Sequence, residues 1–347
     1  MGRLDSVPRH LAPGLAIHPL GVGCRSIGAL PVSRPVPDSE WLDGMRSAVE
    51  RGADFFDVAD TYGASEGHAE RLIGQVVREC RRQGITLKVS SRAGHKGSAP
   101  HPYAGPHLRH QLEQSLENLC VEQVDLFGLP SHDFGPSDCY LGPAIEVLRT
   151  MKDLGMIGAI GLVGPHGNPA TAPDAVGHKR FDQLFTLIRP DVVLLPFNAL
   201  TPLAALPDTG ESDLLSRAAG QGAGVLLTSP LAGGLLAGTS RRAQGRSTRE
   251  NGTRAVVARA LEPLRRHLGG HPAVLGQAAL RYCLSRGPHT AVVAGFGRAE
   301  HVALNYASLD LELSPQDEAA IEAAYTSLRE ALRPRTARLL RQDRAIR

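Results

Sequence analysis

Short apolar or β-branched runs alternate with longer amphipathic stretches from one end of the chain to the other, which is how repeated βαβ units around a parallel sheet are written. The runs predict strands at Ala16–Cys24, Asp54–Ala59, Thr86–Arg92, Val124–Leu129, Ile157–Val163, Val192–Phe197, Gly224–Leu231 and Thr290–Gly295. Most are continuously apolar, as strands covered on both faces must be. Their number and order fit a (β/α)8 TIM barrel. Between them, Ala69, Leu72, Ile73, Val76, Val77 and Cys80 recur at helical spacing, as do Leu108, Leu112, Leu116 and Leu119, predicting helices that pack on the sheet.

Beyond the last strand, Ser314-Pro315-Gln316-Asp317-Glu318 supplies an N-cap, a proline at the first helical position and first-turn acids. Ile321, Tyr325, Leu328 and Leu332 follow, so an additional C-terminal helix is expected. Two segments, Gly94–Pro106 after the third strand and roughly Ala232–Gly270 after the seventh, break the rhythm and read as long loops. Loops that follow barrel strands line the active-site face, so these either cover it or are tolerated surface insertions.

Composition narrows the picture. A chain of 347 residues with 42% hydrophobic and 21% charged residues suits one large soluble domain and excludes intrinsic disorder. The expected division is a barrel domain at 1–332 and a basic tail at 333–347, where six arginines face one aspartate. That local +5 accounts for more than the net +3, leaving 3 − 5 = −2 elsewhere. The tail is either a docking element for an acidic partner or a solvated terminus. No nucleic-acid signature accompanies it, and nucleic acid is not expected as a partner.

The five cysteines are scattered and form no CxxC pair, which points to a reducing, cytoplasmic setting. No run approaches the roughly 20 apolar residues of a membrane span, and the N-terminal residues lack the basic-then-apolar pattern of a signal peptide, so none is expected. Met1-Gly2-Arg3-Leu4-Asp5-Ser6 matches a myristoylation pattern loose enough to arise by chance. Arginine supplies 34 of the 38 basic residues, a bias like that of GC-rich bacterial genomes. His95, His101, His107 and His110 cluster without metal-binding spacing, so no metal is expected. The oligomeric state is not encoded in any feature of the sequence.

The second unit reads Phe55-Phe56-Asp57-Val58-Ala59-Asp60-Thr61-Tyr62-Gly63-Ala64-Ser65-Glu66, followed by Glu70-Arg71-Leu72-Ile73-Gly74. This resembles the aldo-keto reductase signature, in which an aspartate ends the strand and a tyrosine five residues later donates the proton. Asp57 and Tyr62 hold those positions. Further likenesses follow in order: Ser115–Leu119 with Val124–Phe127, Leu154–Gly161, Ser229–Gly238, and Gly295-Phe296-Gly297-Arg298-Ala299-Glu300 with Asn305. The last resembles the segment that holds the adenosine end of NADP. A glycine-bearing turn opening a helix suits a phosphate independently of the resemblance, and Arg298 could pair with a 2′-phosphate. The resemblance implies an NADP(H) cofactor, held by Gly23, Ser229, Leu231, Gly295, Gly297, Arg298, Glu300 and Asn305.

The pattern is broken in the reactive half. The family places a lysine beside the tyrosine, because a phenol of pKa about 10 is a poor acid near neutrality. Here that position holds Arg92, which keeps the charge, cannot shuttle a proton, and favours bidentate pairing, with Asp57 as the candidate partner. Lys88 lies about 13 Å down the strand, too far to substitute, and Lys96 follows on the next loop. The family's histidine position holds Pro130; His132, two residues on, either fills the role through a bulge or is a loop histidine without one. Positions that hold the nicotinamide carboxamide or stack on its ring are Val163, Gly164, Leu194 and Thr228.

The leading expectation is an NADP-dependent oxidoreductase acting on the carbonyl or alcohol of a small molecule. Tyr62 is the acid/base, Arg92 its electrostatic partner, Asp57 the residue orienting Arg92, and His132 the candidate fourth member. The alternatives are a barrel enzyme performing elimination or isomerisation, and a non-catalytic NADP-binding protein.

Overall fold

Eight parallel strands close on themselves in the computed structural model, which describes residues 7–28, 36–95, 97–165, 175–200, 214–237, 248–271 and 273–343. The myristoylation-like segment and Lys96 lie outside the described residues. The chain opens with an antiparallel hairpin, β1 (Arg9–Ala12) and β2 (Leu15–Ile17), followed by the first barrel strand, β3 (Leu20–Gly23). Each later strand is delivered by a crossover helix: α1 (Asp38–Glu50), β4 (Phe55–Asp57), α2 (His68–Arg82), β5 (Lys88–Arg92), α3 (Gly105–Leu119), β6 (Val124–Leu129), α4 (Leu141–Asp153) and β7 (Ile157–Val163). The circuit continues through α5 (Ala175–Ile188), β8 (Val192–Pro196), α6 (Leu214–Gly220), β9 (Gly224–Thr228), α7 (Thr248–His267), α8 (Val274–Leu284), β10 (Thr290–Gly295), α9 (Ala299–Tyr306) and α10 (Pro315–Asp343). β10 closes the ring by pairing with both β9 and β3, with Gly295 opposite Gly23 at the upper rim.

The expected strand Ala16–Cys24 is two strands. Pro19 has no N–H to give a ladder, and the chain turns there: the His18 N–H donates to Asp54 Oδ1 at 2.8 Å and the Leu20 N–H to His18 Nδ1 at 3.1 Å. The hairpin this releases plugs the bottom of the barrel. Its Leu11, Leu15 and Ile17 pack with Phe55, Leu126, Val192, Leu226 and Ala291 in the barrel interior. Gly224 is required at this plug, because a Cβ there would collide with the Leu11 backbone. Lys88 secures the same end, its Nζ donating to the Ala16 carbonyl at 2.6 Å.

A second, larger cluster lies between the strands and the helices, where the expected faces of α2 and α3 are buried. Glu70 fixes the two helices against β5. Fully buried, its carboxylate accepts from Ser91 Oγ at 2.6 Å and from Asn118 Nδ2 at 3.0 Å. Gly74 lets α2 meet α3, since a Cβ at this position would strike the Asn118 carbonyl. Gly74→Ala is expected to lower stability by about 1–3 kcal/mol, as overpacking against unyielding backbone does; urea unfolding with an unchanged midpoint would contradict it.

The segment expected as a long loop after the seventh strand contains α7, whose Val257, Leu261 and Leu264 are buried and which packs along α10. Its few apolar positions are diluted by arginines and interrupted by Pro263, so periodicity did not expose it. α10 begins as expected, with a reciprocal cap in which Ser314 Oγ donates to Asp317 Oδ2 at 2.7 Å and accepts from the Asp317 N–H at 3.2 Å. The helix continues through position 333, the expected start of the tail, to Asp343; residues 344–347 lie outside the described part.

Candidate active site

Asp57 and Arg92 end adjacent barrel strands, β4 and β5, on the rim where a parallel barrel presents its C-terminal strand ends. Tyr62 follows five residues after Asp57, in a turn held by its N–H to the Ala59 carbonyl at 3.0 Å and by the Ala69 N–H to its own carbonyl at 3.1 Å. Gly28, at φ +70°, lets the loop after β3 cross directly over this turn, since a Cβ there would strike the Gly63 backbone.

The three side chains form one chain of hydrogen bonds. Arg92 Nη2 donates to Asp57 Oδ1 at 2.5 Å, and Arg92 Nη1 donates to the Tyr62 hydroxyl oxygen at 2.8 Å. Ser90 Oγ also donates to Asp57 Oδ1, at 2.6 Å. The guanidinium is therefore divided between two partners, unlike the bidentate pairing with Asp57 that the residue type favours. Its Nε is buried and has no acceptor among the described residues. Burial opposes the Arg92 charge, but Asp57 and Tyr62 outweigh it and raise its pKa, so it is permanently cationic. For Tyr62, burial raises the pKa; Arg92 and Arg25 pull it down, Asp57 pushes it up, and the result stays above the ordinary phenol value. Tyr62 is thus a neutral phenol near neutrality, able to donate its hydroxyl proton.

Tyr62 and Arg92 stand in the wall of a cavity of about 500 Å³ in the barrel mouth. On one side the wall is apolar, with Pro130, Val163, Leu194 and Pro196. On the other it is largely backbone. Gly23 and Gly295 face each other across the β3–β10 seam, and a Cβ on Gly295 would come 3.2 Å from Ser26 Oγ. Ser229 and Ala232 adopt left-handed φ of +59° and +49°, followed by Gly233 at +69° and Gly234 at +87°. A non-glycine residue held in this region is a strain that concentrates at binding sites, and turns of this kind leave backbone N–H groups facing outward as anion cradles. Asn198 Nδ2 holds the turn through the Ser229 carbonyl at 3.1 Å.

A family model for the Aldo/keto reductase family matches residues 19–326. The chain belongs to the aldo/keto reductase family. L-galactose dehydrogenase of Arabidopsis thaliana is 24% identical over 309 residues, covering 88% of this chain and 88% of that protein. NADH-specific methylglyoxal reductase of Escherichia coli is 23% identical over 324 residues, covering 86% and 91%. The solved structure of a glycerol dehydrogenase from Gluconobacter oxydans shares the fold, with a TM-score of 0.67 at 20% identity over 92% of this chain and 95% of that one. Aldo/keto reductases are typically NAD(P)-dependent oxidoreductases of small molecules. No helix among the described residues is long and apolar enough to cross a membrane.

Within this family frame, Gly23, Ser229, Leu231, Gly295, Gly297 and Asn305 line the same cavity as Asp57, Tyr62 and Arg92. Their glycines and left-handed turn leave open backbone along the cavity wall. His132, Arg298 and Glu300 are not among the residues lining it. His132 Nε2 lies 2.7 Å from the Val163 carbonyl, its ring tilts on Phe181, and its own carbonyl accepts from Arg180 Nε at 3.1 Å. Arg298 Nη1 sits 3.5 Å from Glu300 Oε1. The first N–H of α9, from Ala299, donates to Glu40 Oε1 of α1 at 3.0 Å.

Sequence reasoning missed Arg25, Ser26, His301 and Gln277, which also line the cavity. Arg25 and Ser26 lie two and three residues beyond β3 and were within reach of the rule that loops after barrel strands carry the site. Glu40 gave no signal, because its contact spans 259 residues. Of the two segments expected as loops, Gly233, Gly234 and Ala237 of the later one line the cavity, whereas the earlier one ties to the loop after β4 through Asp60, which accepts from the Gly94 and His95 N–H groups at 3.3 and 3.1 Å.

Proposed function

We propose that this aldo/keto reductase interconverts a carbonyl and an alcohol on a small molecule, with Tyr62 as proton donor in the reducing direction and acceptor in the oxidising one. The continuous Asp57–Arg92–Tyr62 hydrogen-bond chain at the cavity wall carries this reading. Arg92 supplies a fixed charge at the phenol oxygen, so the oxygen left after proton donation sits beside a cation held in place by Asp57. The nicotinamide cofactor, when bound, gives or takes the hydride; Gly23, Ser229, Leu231, Gly295, Gly297 and Asn305 are the residues to hold it. His132 is left out of the proton path, because it does not line the cavity and its Nε2 is engaged by the Val163 carbonyl.

The adenosine end supports NAD(H) over the NADP(H) that the sequence suggested. Arg298, the cation available for a 2′-phosphate, already faces Glu300, and the open N–H at the start of α9 already binds Glu40. A phosphate dianion brought there would meet two carboxylates. Tighter binding of NADH than of NADPH is therefore expected by fluorescence titration, with Glu40→Gln narrowing the difference by about an order of magnitude, the scale set by one charged contact. Tighter binding of NADPH by the unsubstituted protein would reverse the assignment.

The apolar Val163 and Leu194 favour a second reading, a proton-transfer reaction of elimination or isomerisation type, since they offer a carboxamide no polar anchor. Consumption of NADH or NADPH against a panel of carbonyl compounds separates the two. Oxidation of the cofactor matched one-to-one by alcohol formation supports the reductase; turnover with no change in its redox state excludes it.

A further inference from the structure

We propose that Arg25 selects substrates carrying a carboxylate near the reacting carbonyl or alcohol carbon, an inference that rests on Tyr62 marking the reaction centre. Arg25 lies two residues beyond the end of β3, lines the cavity that holds Tyr62, and is exposed. No hydrogen bond or ion pair joins it to another described residue. The neighbouring cations differ: Arg92 is committed to Asp57 and Tyr62, and Arg298 to Glu300. Asp57 is the one carboxylate among the described residues lining this cavity, and Arg92 and Ser90 already engage it. Among the described residues, the cavity therefore presents a positive charge without a partner.

The apolar side of the wall makes that charge selective. Pro130, Val163, Leu194 and Pro196 offer no competing polar side chain there. Exposed at the cavity wall, the Arg25 guanidinium is accessible to an oxyanion that enters. Its planar fork matches a carboxylate through two parallel N–H···O bonds. Arg25 and Tyr62 line the same cavity, and the Arg25 charge pulls the Tyr62 pKa down, so an anion held by Arg25 shares the cavity with the reacting hydroxyl. A neutral substrate would leave the guanidinium unpaired, whereas a 2-oxo or 2-hydroxy acid would pair it while offering its adjacent carbon to Tyr62.

The same oxyanion chemistry could come from the pyrophosphate of the dinucleotide, and the test separates the sources. The ratio of kcat/KM for pyruvate to that for methyl pyruvate would be measured in the full-length protein and in Arg25→Gln and Arg25→Lys. Expected is a fall in that ratio of tenfold or more for Arg25→Gln, the scale of a charge-assisted contact, with partial recovery in Arg25→Lys. An unchanged ratio overturns the proposal, as does a loss confined to NADH affinity, which would assign Arg25 to the pyrophosphate. Should no carbonyl be reduced, calorimetric binding of malonate against malonamide still decides. Preference for malonate that disappears in Arg25→Gln sustains the anion site although Tyr62 chemistry has failed; equal binding of the two overturns it.

Discussion

Tyr62→Phe is expected to lower kcat for carbonyl reduction by about 10²- to 10⁴-fold, the contribution of one positioned proton donor, while nicotinamide affinity stays close to that of the unsubstituted protein. The substitution removes one oxygen from a half-buried ring and leaves Asp57 and Arg92 paired at 2.5 Å, so the cavity shape is kept. Retained turnover would show that another group supplies the proton. The pH dependence follows from the direction of the Tyr62 shift. Its pKa is raised, chiefly by burial, so the protonated form that serves reduction is fully present through neutral pH. It is lost only as pH rises through a value above that of an ordinary phenol, about 10. The rate–pH profile for reduction should then be flat near neutrality and fall on the alkaline side, whereas alcohol oxidation, which needs the deprotonated oxygen, should rise there. A falling limb for reduction between pH 6 and 8, where imidazoles titrate, would instead implicate a histidine.

The sequence carried the barrel because a strand buried on both faces is written as an unbroken apolar run. Val124–Leu129, Ile157–Val163 and Thr290–Gly295 have the expected limits residue for residue. The same rule concealed the hairpin: Leu15–Gly23 is nearly all apolar, and only Pro19 marks where one strand ends and the barrel begins. α7 was hidden for the opposite reason, an arginine-rich surface leaving too few apolar positions to show a period. In the site, Asp57 and Tyr62 were legible from spacing along one strand and its loop. The orientation of His132 toward Val163 and the capture of the α9 N-terminus by Glu40 were not, because each depends on a partner far away in sequence. Arg92 fell between these cases. Its position was readable, but the division of its fork between Asp57 and Tyr62 depends on where the tyrosine loop places the phenol oxygen.

That division gives the second large effect, a loss of stability rather than of rate. Asp57 and Arg92 are both buried, and removing one charge strands the other in a region of low dielectric. Asp57→Asn and Arg92→Met are each expected to lower unfolding stability by about 3–5 kcal/mol, as broken buried pairs do. Their effects should not add. In the double variant neither charge is stranded, so it should be more stable than the sum of the single losses predicts by at least about 1 kcal/mol, within the range of coupled neighbours. Urea unfolding of the four proteins measures this directly, and strictly additive losses would mean that the two side chains do not function as a pair. Turnover should follow a different rule. Either single variant and the double variant alike lack the fixed cation at the Tyr62 oxygen, or the carboxylate that holds it there, so activity should stay low in the double variant even as stability recovers. Recovery of stability without recovery of rate is the outcome that separates a pair kept for folding from one kept for chemistry, since a buried ion pair is often replaceable by apolar groups at little cost to the fold. Ser90, which donates to the same Asp57 oxygen at 2.6 Å, stays in place throughout and would hold an asparagine in nearly the position of the carboxylate. The loss of rate in Asp57→Asn would then report the missing charge rather than a collapsed site.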